Sequence, residues 1–178
     1  MNDRFVVFTG GPGSGKSTLI DLLAGDGYAR SEEAGRGVIR DQVAIGGRAL
    51  PWADRELFAE LMLSWELRSY GMAEAAAGTV LFDRGLPDVV GYLRLEGLPV
   101  PDHVAEAARR FRYHRRVFVA PPWPEIYERD VERRQSPEVA ERTHASMVET
   151  YEEYGYELVT LPRVPVGERA RFVRDHLV

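Results

Sequence analysis

The sequence predicts an α/β fold, a five-stranded parallel sheet with helices on both faces. Three observations lead there. Five short apolar runs alternate with helix-length amphipathic segments, the pattern of a parallel sheet with helical crossovers. The first run, Phe5-Val6-Val7-Phe8, is apolar at every position, as a strand covered on both faces must be. It leads straight into Gly10-Gly11-Pro12-Gly13-Ser14-Gly15-Lys16-Ser17 and then into a helical pattern.

Taken in order, Ser17 to Ala24 carries Leu19, Ile20, Leu22 and Leu23 at helical spacing, and Gly25 and Gly27 stop it. Tyr28 to Ser31 is the weakest of the strands. Glu33 to Val43 is helical up to Gly46-Gly47. Asp54 to Ala77 is a long helix ended by Gly78, and Thr79 to Asp83 is a buried strand. Pro87 suits a first helical turn and opens a helix to Leu95. Val104 to Tyr113 is a helix, and Arg116 to Ala120 is a strand stopped by Pro121-Pro122. Glu125 to Arg134 reads as a charge-rich helix, followed by a helix from Pro137 to Tyr154, a strand from Tyr156 to Leu161 and a helix from Gly167 to Leu177. With no repeat or linker visible, residues 1–178 read as one domain.

Composition narrows the function. A hydrophobic fraction of 44% and a charged fraction of 29% are ordinary for a globular protein. The net charge of -5 argues against nucleic acid as a partner. No cysteine is present, which excludes disulfides and thiolate zinc sites. No apolar run is long enough for a membrane span, and no apolar leader is evident, so a cytoplasmic location is expected.

Lys16 is the single lysine among 23 basic residues. It completes G-x-x-x-x-G-K-[ST], the phosphate-binding P-loop, in the strand–loop–helix setting that motif requires. An ammonium is a compact charge on a flexible stem and reaches phosphate beside a tight loop, where a planar guanidinium fits less well. The loop Gly11, Pro12, Gly13, Ser14, Gly15, Lys16, Ser17 and Thr18 lies where the N–H groups of a helix N-terminus cradle anions, and Arg129 is expected to reach the same nucleotide. These residues are the expected nucleotide contacts.

Ligands on such sheets bind beyond the carboxyl ends of the strands. Asp83 ends the third strand, where a carboxylate meets Mg²⁺ with the Ser17 hydroxyl; a turn or helix-capping role also suits it. Arg84 follows, where ATPases that drive mechanical work often carry Glu. A guanine-reading Asn-Lys-x-Asp is impossible with one lysine. Asp88 and Tyr92 are one helical turn apart and share a face, so both can line an acceptor pocket, although Asp88 also suits a first-turn helix position and Tyr92 the core. Glu33 follows strand two as a candidate general base, or as a helix-start cap, with Arg36 one turn on. Arg129 and Arg133 share a helix face. They suit a lid over the nucleotide or a solvated face laced with Glu–Arg pairs. The cluster Arg109 to Arg116 reads as solvated surface, with a site for an anionic substrate as the sharper alternative. Trp52, Trp65, Tyr70 and Trp123 offer stacking surfaces, or core packing.

Gly10 to Ser17, Glu33 to Arg36, Phe82 to Tyr92 and Val117 to Gln135 together resemble a small predicted-ATPase (AAA-type) family of P-loop, kinase-like proteins. That family is allied to ribosylnicotinamide kinase domains and, more distantly, to deoxynucleoside and thymidylate kinases. The resemblance implies a P-loop NTPase fold with sheet order 2-3-1-4-5 and a lid near 122–136. It implies an ATP- and Mg²⁺-dependent phosphotransferase whose partner is a small-molecule phosphoryl acceptor. Glu33 or Asp83 would then activate the acceptor, Arg84 would orient it, and Arg129 and Arg133 would neutralise charge on the moving phosphoryl group. The loop Pro162 to Val166 would pass beside adenine. The alternatives are an ATP-binding regulatory protein, whose arginine segment could stay in solvent, and a stand-alone ATPase, against which the missing Glu after Asp83 counts.

Overall fold

The computed structural model describes residues 1–126 and 136–177. Five strands, β1 (Phe5–Gly10), β2 (Ala29–Arg30), β3 (Val80–Asp83), β4 (Arg116–Ala120) and β5 (Glu157–Thr160), form one sheet in the order β2-β3-β1-β4-β5. Every neighbouring pair is parallel. The helices are α1 (Lys16–Gly25), α2 (Ala34–Ile45), α3 (Arg55–Ala75), α4 (Leu86–Leu95), α5 (Asp102–Arg110), α6 (Pro137–Glu153) and α7 (Val166–Leu177). The expected fold class and strand order are the observed ones.

Side chains of a strand alternate between faces, and β1 shows why it must be apolar throughout. Phe5 and Val7 enter one core with α2 to α6, while Val6 and Phe8 enter another with α1 and α7. All six residues of β1 are buried. The first core is organised by aromatic rings: Tyr70 meets Phe5 edge-on at 4.9 Å, and Tyr113 meets Phe82 at 5.1 Å. Tyr70 is thereby core rather than a stacking surface.

Element ends depart from expectation where tertiary contacts decide. β2 is two residues long instead of four, because Gly27 (φ 102°) turns the chain just before it and only the β3 side offers partners. α5 stops at Arg110 rather than Tyr113. The Tyr113 side chain is needed in the core, where its hydroxyl accepts the Leu86 N–H at 3.2 Å. α3 starts after Asp54, whose carboxylate accepts the Leu57 N–H at 3.0 Å as an N-cap. Where a helix is expected from Glu125 to Arg134, the described residues show a 3₁₀ turn, Pro124–Ile126; Arg129, Arg133 and the rest of 127–135 lie outside the described residues.

Candidate active site

The phosphate loop is shaped by close approaches that only glycine permits at two points. Gly10 has φ 123°, and a Cβ there would lie 2.3 Å from the Ala120 carbonyl oxygen. At Gly11 a Cβ would lie 2.6 Å from the Ala140 carbonyl oxygen, so α6 closes directly on the loop. The loop then enters α1 through Gly15, in the left-handed conformation at φ 74°. Ser14 Oγ donates to the Gly11 carbonyl at 2.8 Å, and Lys16 Nζ donates to the same carbonyl at 2.9 Å. Lys16 is 4% exposed, so its ammonium is folded into the loop. Thr18 is exposed on the first turn of α1.

The β1–β3 register pairs Phe8 with Asp83 and so brings the end of β3 beside the loop. Ser17 Oγ donates to Asp83 Oδ2 at 2.8 Å. Asp83 Oδ1 is buried and has no hydrogen-bond partner among the described residues. Burial, then the Glu33 charge, raises the Asp83 carboxyl above the ordinary range, against the opposing pull of Lys16, Arg84 and the Ser17 hydroxyl. A buried oxygen with no donor beside a hydroxyl suits a hard cation. Mg²⁺ usually takes one or two carboxylates and completes its shell with phosphate and water. Ser17 and Asp83 fit that requirement, and among the described residues no cluster of three or more His, Asp or Glu competes for a metal.

Next to it stands Arg84, the one non-glycine residue with positive φ (77°) among those described. That backbone costs about 1–3 kcal/mol unless its surroundings hold it. Two carboxylates do: Nε donates to Glu33 Oε1 at 3.2 Å, and Nη1 donates to Asp88 Oδ1 at 3.1 Å. Burial alone would depress the guanidinium, but Glu33, Asp88 and Asp83 outweigh it and hold it above its ordinary value. Glu33 occupies the N-cap position of α2 without a side-chain capping bond. Its carboxylate turns to Arg84 and to Arg36, whose Nε is 3.4 Å away.

Asp88 is more heavily engaged than its sequence position suggests. Oδ1 accepts from Thr9 Oγ1 at 2.6 Å as well as from Arg84, and Oδ2 accepts from Tyr151 Oη at 2.6 Å and the Gly85 N–H at 2.9 Å. A carboxylate has about four lone-pair sites, and all four are used. Burial first, and then the Asp88 charge, push the Tyr151 hydroxyl well above its ordinary range, so it stays a donor.

A cavity of about 960 Å³ opens beside the phosphate loop, with Pro12 on its wall. The sequence-predicted acceptor residues Glu33, Arg36, Arg84, Asp88 and Tyr92 all line it. Trp52 reaches it too, whereas Trp65 lines a separate cavity of about 780 Å³ between α2, α3 and the β2 edge. Trp123 lines neither of these cavities; the Arg169 guanidinium lies 5.7 Å from its ring.

Two residues escaped the sequence reading. Glu66, on α3, is 2% exposed and lines the same cavity. Its place between Leu63 and Tyr70 on the buried stripe of α3 was the available signal. Arg169 is also 2% exposed; its Nη2 donates to the Ser14 carbonyl at 3.2 Å, bracing the phosphate loop from α7. Nothing in the sequence pairs positions 155 residues apart. The basic cluster before β4 is spent locally: Arg115 pairs with Glu157 at 2.6 Å, Arg109 with Glu106 at 3.3 Å, and Arg112 packs 4.1 Å over the Tyr156 ring.

Sheet order and glycine-rich loop together define a P-loop α/β protein. Residues 5–169 match a family model described as an AAA domain, and the chain belongs to that family. No curated protein matches the sequence. Among solved structures, deoxyadenosine kinase from M. mycoides, with products dCMP and dCDP bound, superposes with a TM-score of 0.71 at 15% identity, covering 97% of this chain and 98% of the other. The NadR protein in complex with NR gives 0.72 at 19% identity; the match covers 97% of this chain but 49% of NadR, so this chain spans about half of it. Thymidylate kinase from Ehrlichia chaffeensis gives 0.67 at 14% identity over 100% of both chains. At these identities the likeness is one of fold. Among the described residues, no helix is long and apolar enough to cross a membrane.

Proposed function

We propose that the protein is an ATP- and Mg²⁺-dependent phosphotransferase acting on a small hydroxylated molecule. The observation that carries this reading is a shared boundary. Pro12 of the phosphate loop, Glu33 and Arg84, the chain neighbour of Asp83 with its unpartnered oxygen, line one cavity of about 960 Å³. A phosphate site alone would serve binding; a second compartment of substrate size beside it supports transfer.

In this reading Lys16 and the backbone N–H groups of Gly11 and of Gly13 to Thr18 hold the β- and γ-phosphates, with Pro12 shaping the loop between them. Mg²⁺, held by Ser17 and Asp83, would neutralise charge on the phosphate oxygens. The acceptor hydroxyl oxygen forms a bond to the γ-phosphorus, the bond to the β-bridging oxygen breaks, and ADP leaves. The hydroxyl proton passes to Glu33 or Asp83. Glu33 is engaged by two guanidiniums, and the loose transition state of phosphoryl transfer demands little base strength. Arg84, fixed by Glu33 and Asp88, orients the reacting end, and Asp88 and Tyr92 complete the wall. Arg129, beside the nucleotide, and Arg133 would stabilise charge in flight from a lid near 122–136.

Replacing Lys16 by Ala is expected to lower ATP-dependent turnover by at least about 10²–10³-fold, the order of losing one preorganised charge stabiliser, with an unchanged circular dichroism spectrum. Full phosphoryl transfer by a folded K16A chain overturns the proposal.

A further inference from the structure

Arg169 of α7 is a buried cation without a counter-charge. It is 2% exposed, and no carboxylate pairs with it among the described residues. Burial pushes its guanidinium below the ordinary value, and no neighbouring charge opposes the shift. Its Nε is buried and has no hydrogen-bond partner among the described residues. Arg84, by contrast, is engaged by two carboxylates. What Arg169 does meet is the Ser14 carbonyl, to which Nη2 donates at 3.2 Å, and the Trp123 ring, 5.7 Å away. Burying a charge is costly unless an opposite charge offsets it. A loop that needed only a brace could take a neutral donor or an apolar side chain here and avoid that penalty. The charge finds its counterpart only when an anion lies across the loop.

The path to that anion is the Ser14–Gly15 peptide. No cis peptide occurs among the described residues, so the C=O and N–H of this peptide point to opposite sides of the chain. Arg169 takes the C=O side. The Gly15 N–H has no hydrogen-bond partner among the described residues and is one of the orphan donors at the head of α1. A Cβ on Gly15 would lie 2.8 Å from Arg169 Nη1, so α7 backs this turn closely. A cation on the carbonyl polarises the whole amide and makes its N–H a stronger donor, the more so away from water. We propose that Arg169 is a positioning residue for the nucleotide phosphates. It acts through the Ser14–Gly15 peptide, strengthening the Gly15 N–H as a phosphate donor, and it stands behind the loop as a second cation besides Lys16. This rests on the phosphotransferase reading only in placing phosphates in the loop.

Titration calorimetry on the full chain tests this with two probes, each with Mg²⁺. One is a non-hydrolysable ATP analogue; the other is inorganic tripolyphosphate, which has the phosphates without base or sugar. Arg169→Met keeps the bulk without charge or donor, Arg169→Gln keeps a neutral donor, and Arg169→Lys keeps the charge. Met and Gln are each expected to weaken both probes by about tenfold, and Lys by no more than about threefold, on the scale of a hydrogen bond strengthened by charge. Because the cation has no counter-charge, the nucleotide-free Met chain should melt at the wild-type temperature or above it. A brace alone behaves otherwise: its loss lowers the unfolding midpoint, and Gln restores what Met removes. The proposal is overturned by wild-type affinity in Met or Gln, by a loss in Lys as large as in Met, or by neutral chains that unfold or melt well below the wild type. A loss confined to the ATP analogue also overturns it, because Arg169 would then serve the base and not the phosphates. If the wild type binds both probes and the variants match it, the role of Arg169 falls and the phosphotransferase reading stands. If the wild type binds neither probe, that reading fails and this proposal with it.

Discussion

Asp88 shows what a single residue does when every lone pair is spoken for. Four donors converge on it from β1, the β3–α4 turn and α6. Asp88→Asn replaces one accepting oxygen by an amino group that faces donors, and it uncouples Arg84. Breaking a buried pair costs about 3–5 kcal/mol. The unfolding midpoint of D88N is therefore expected to fall by roughly 10 °C, measured by calorimetry. Glu66 behaves in the other direction. Its folded-state pKa is raised above the ordinary 4.5, so the folded protein holds a proton that the unfolded chain has released. Its stabilising contribution is complete below pH 4.5 and declines as pH rises toward the folded value. Glu66→Gln removes this dependence, and urea titrations across that window should show a flatter stability profile for the variant. The contrast explains what was legible. Lys16, Ser17 and Asp83 are fixed by a local motif and by strand ends, which spacing reveals. Glu66 reads as one more charge on a long helix until packing removes it from water.

At the scale of elements, helix contacts set the geometry of the cavity wall beside Glu33. Gly37 of α2 packs on Trp65 of α3 so closely that a Cβ would lie 2.3 Å from the indole ring. In isolation Gly→Ala favours a helix by about 1 kcal/mol, but overpacking costs about 1–3 kcal/mol, and the rigid indole edge gives little. Gly37→Ala is expected to destabilise the chain. Because α2 follows directly from Glu33, G37A should also weaken acceptor turnover more than ATP binding, compared through KM values for the two substrates. The sequence pattern, with Gly and Pro as boundary signals, located every described element of four or more residues. It overestimated β2 and the end of α5, where pairing partners and the demand for Tyr113 in the core decide.

For the whole molecule, the central position of β1 puts the phosphate loop in the middle of the sheet, with helices α1 and α7 behind it and α6 above it. A ligand that binds only the folded state stabilises it by about 2.7 kcal/mol at a hundred times its dissociation constant. Mg²⁺ with an ATP analogue should raise the unfolding midpoint of the wild type, and of K16A far less, by differential scanning fluorimetry. The two sides of the sheet are anchored unequally. β1 is held by four register pairs to β3 and three to β4, while β2 has two pairs, at the sheet's edge, and neither of its residues is buried. Yet β2 leads to Glu33, the start of the acceptor wall. In hydrogen–deuterium exchange the amides of Ala29 to Ser31 should therefore label through local opening, well before those of Val6 to Phe8, which wait for global unfolding. A two-residue β2 that opens first would let the cavity beside Glu33 breathe while the phosphate loop stays locked.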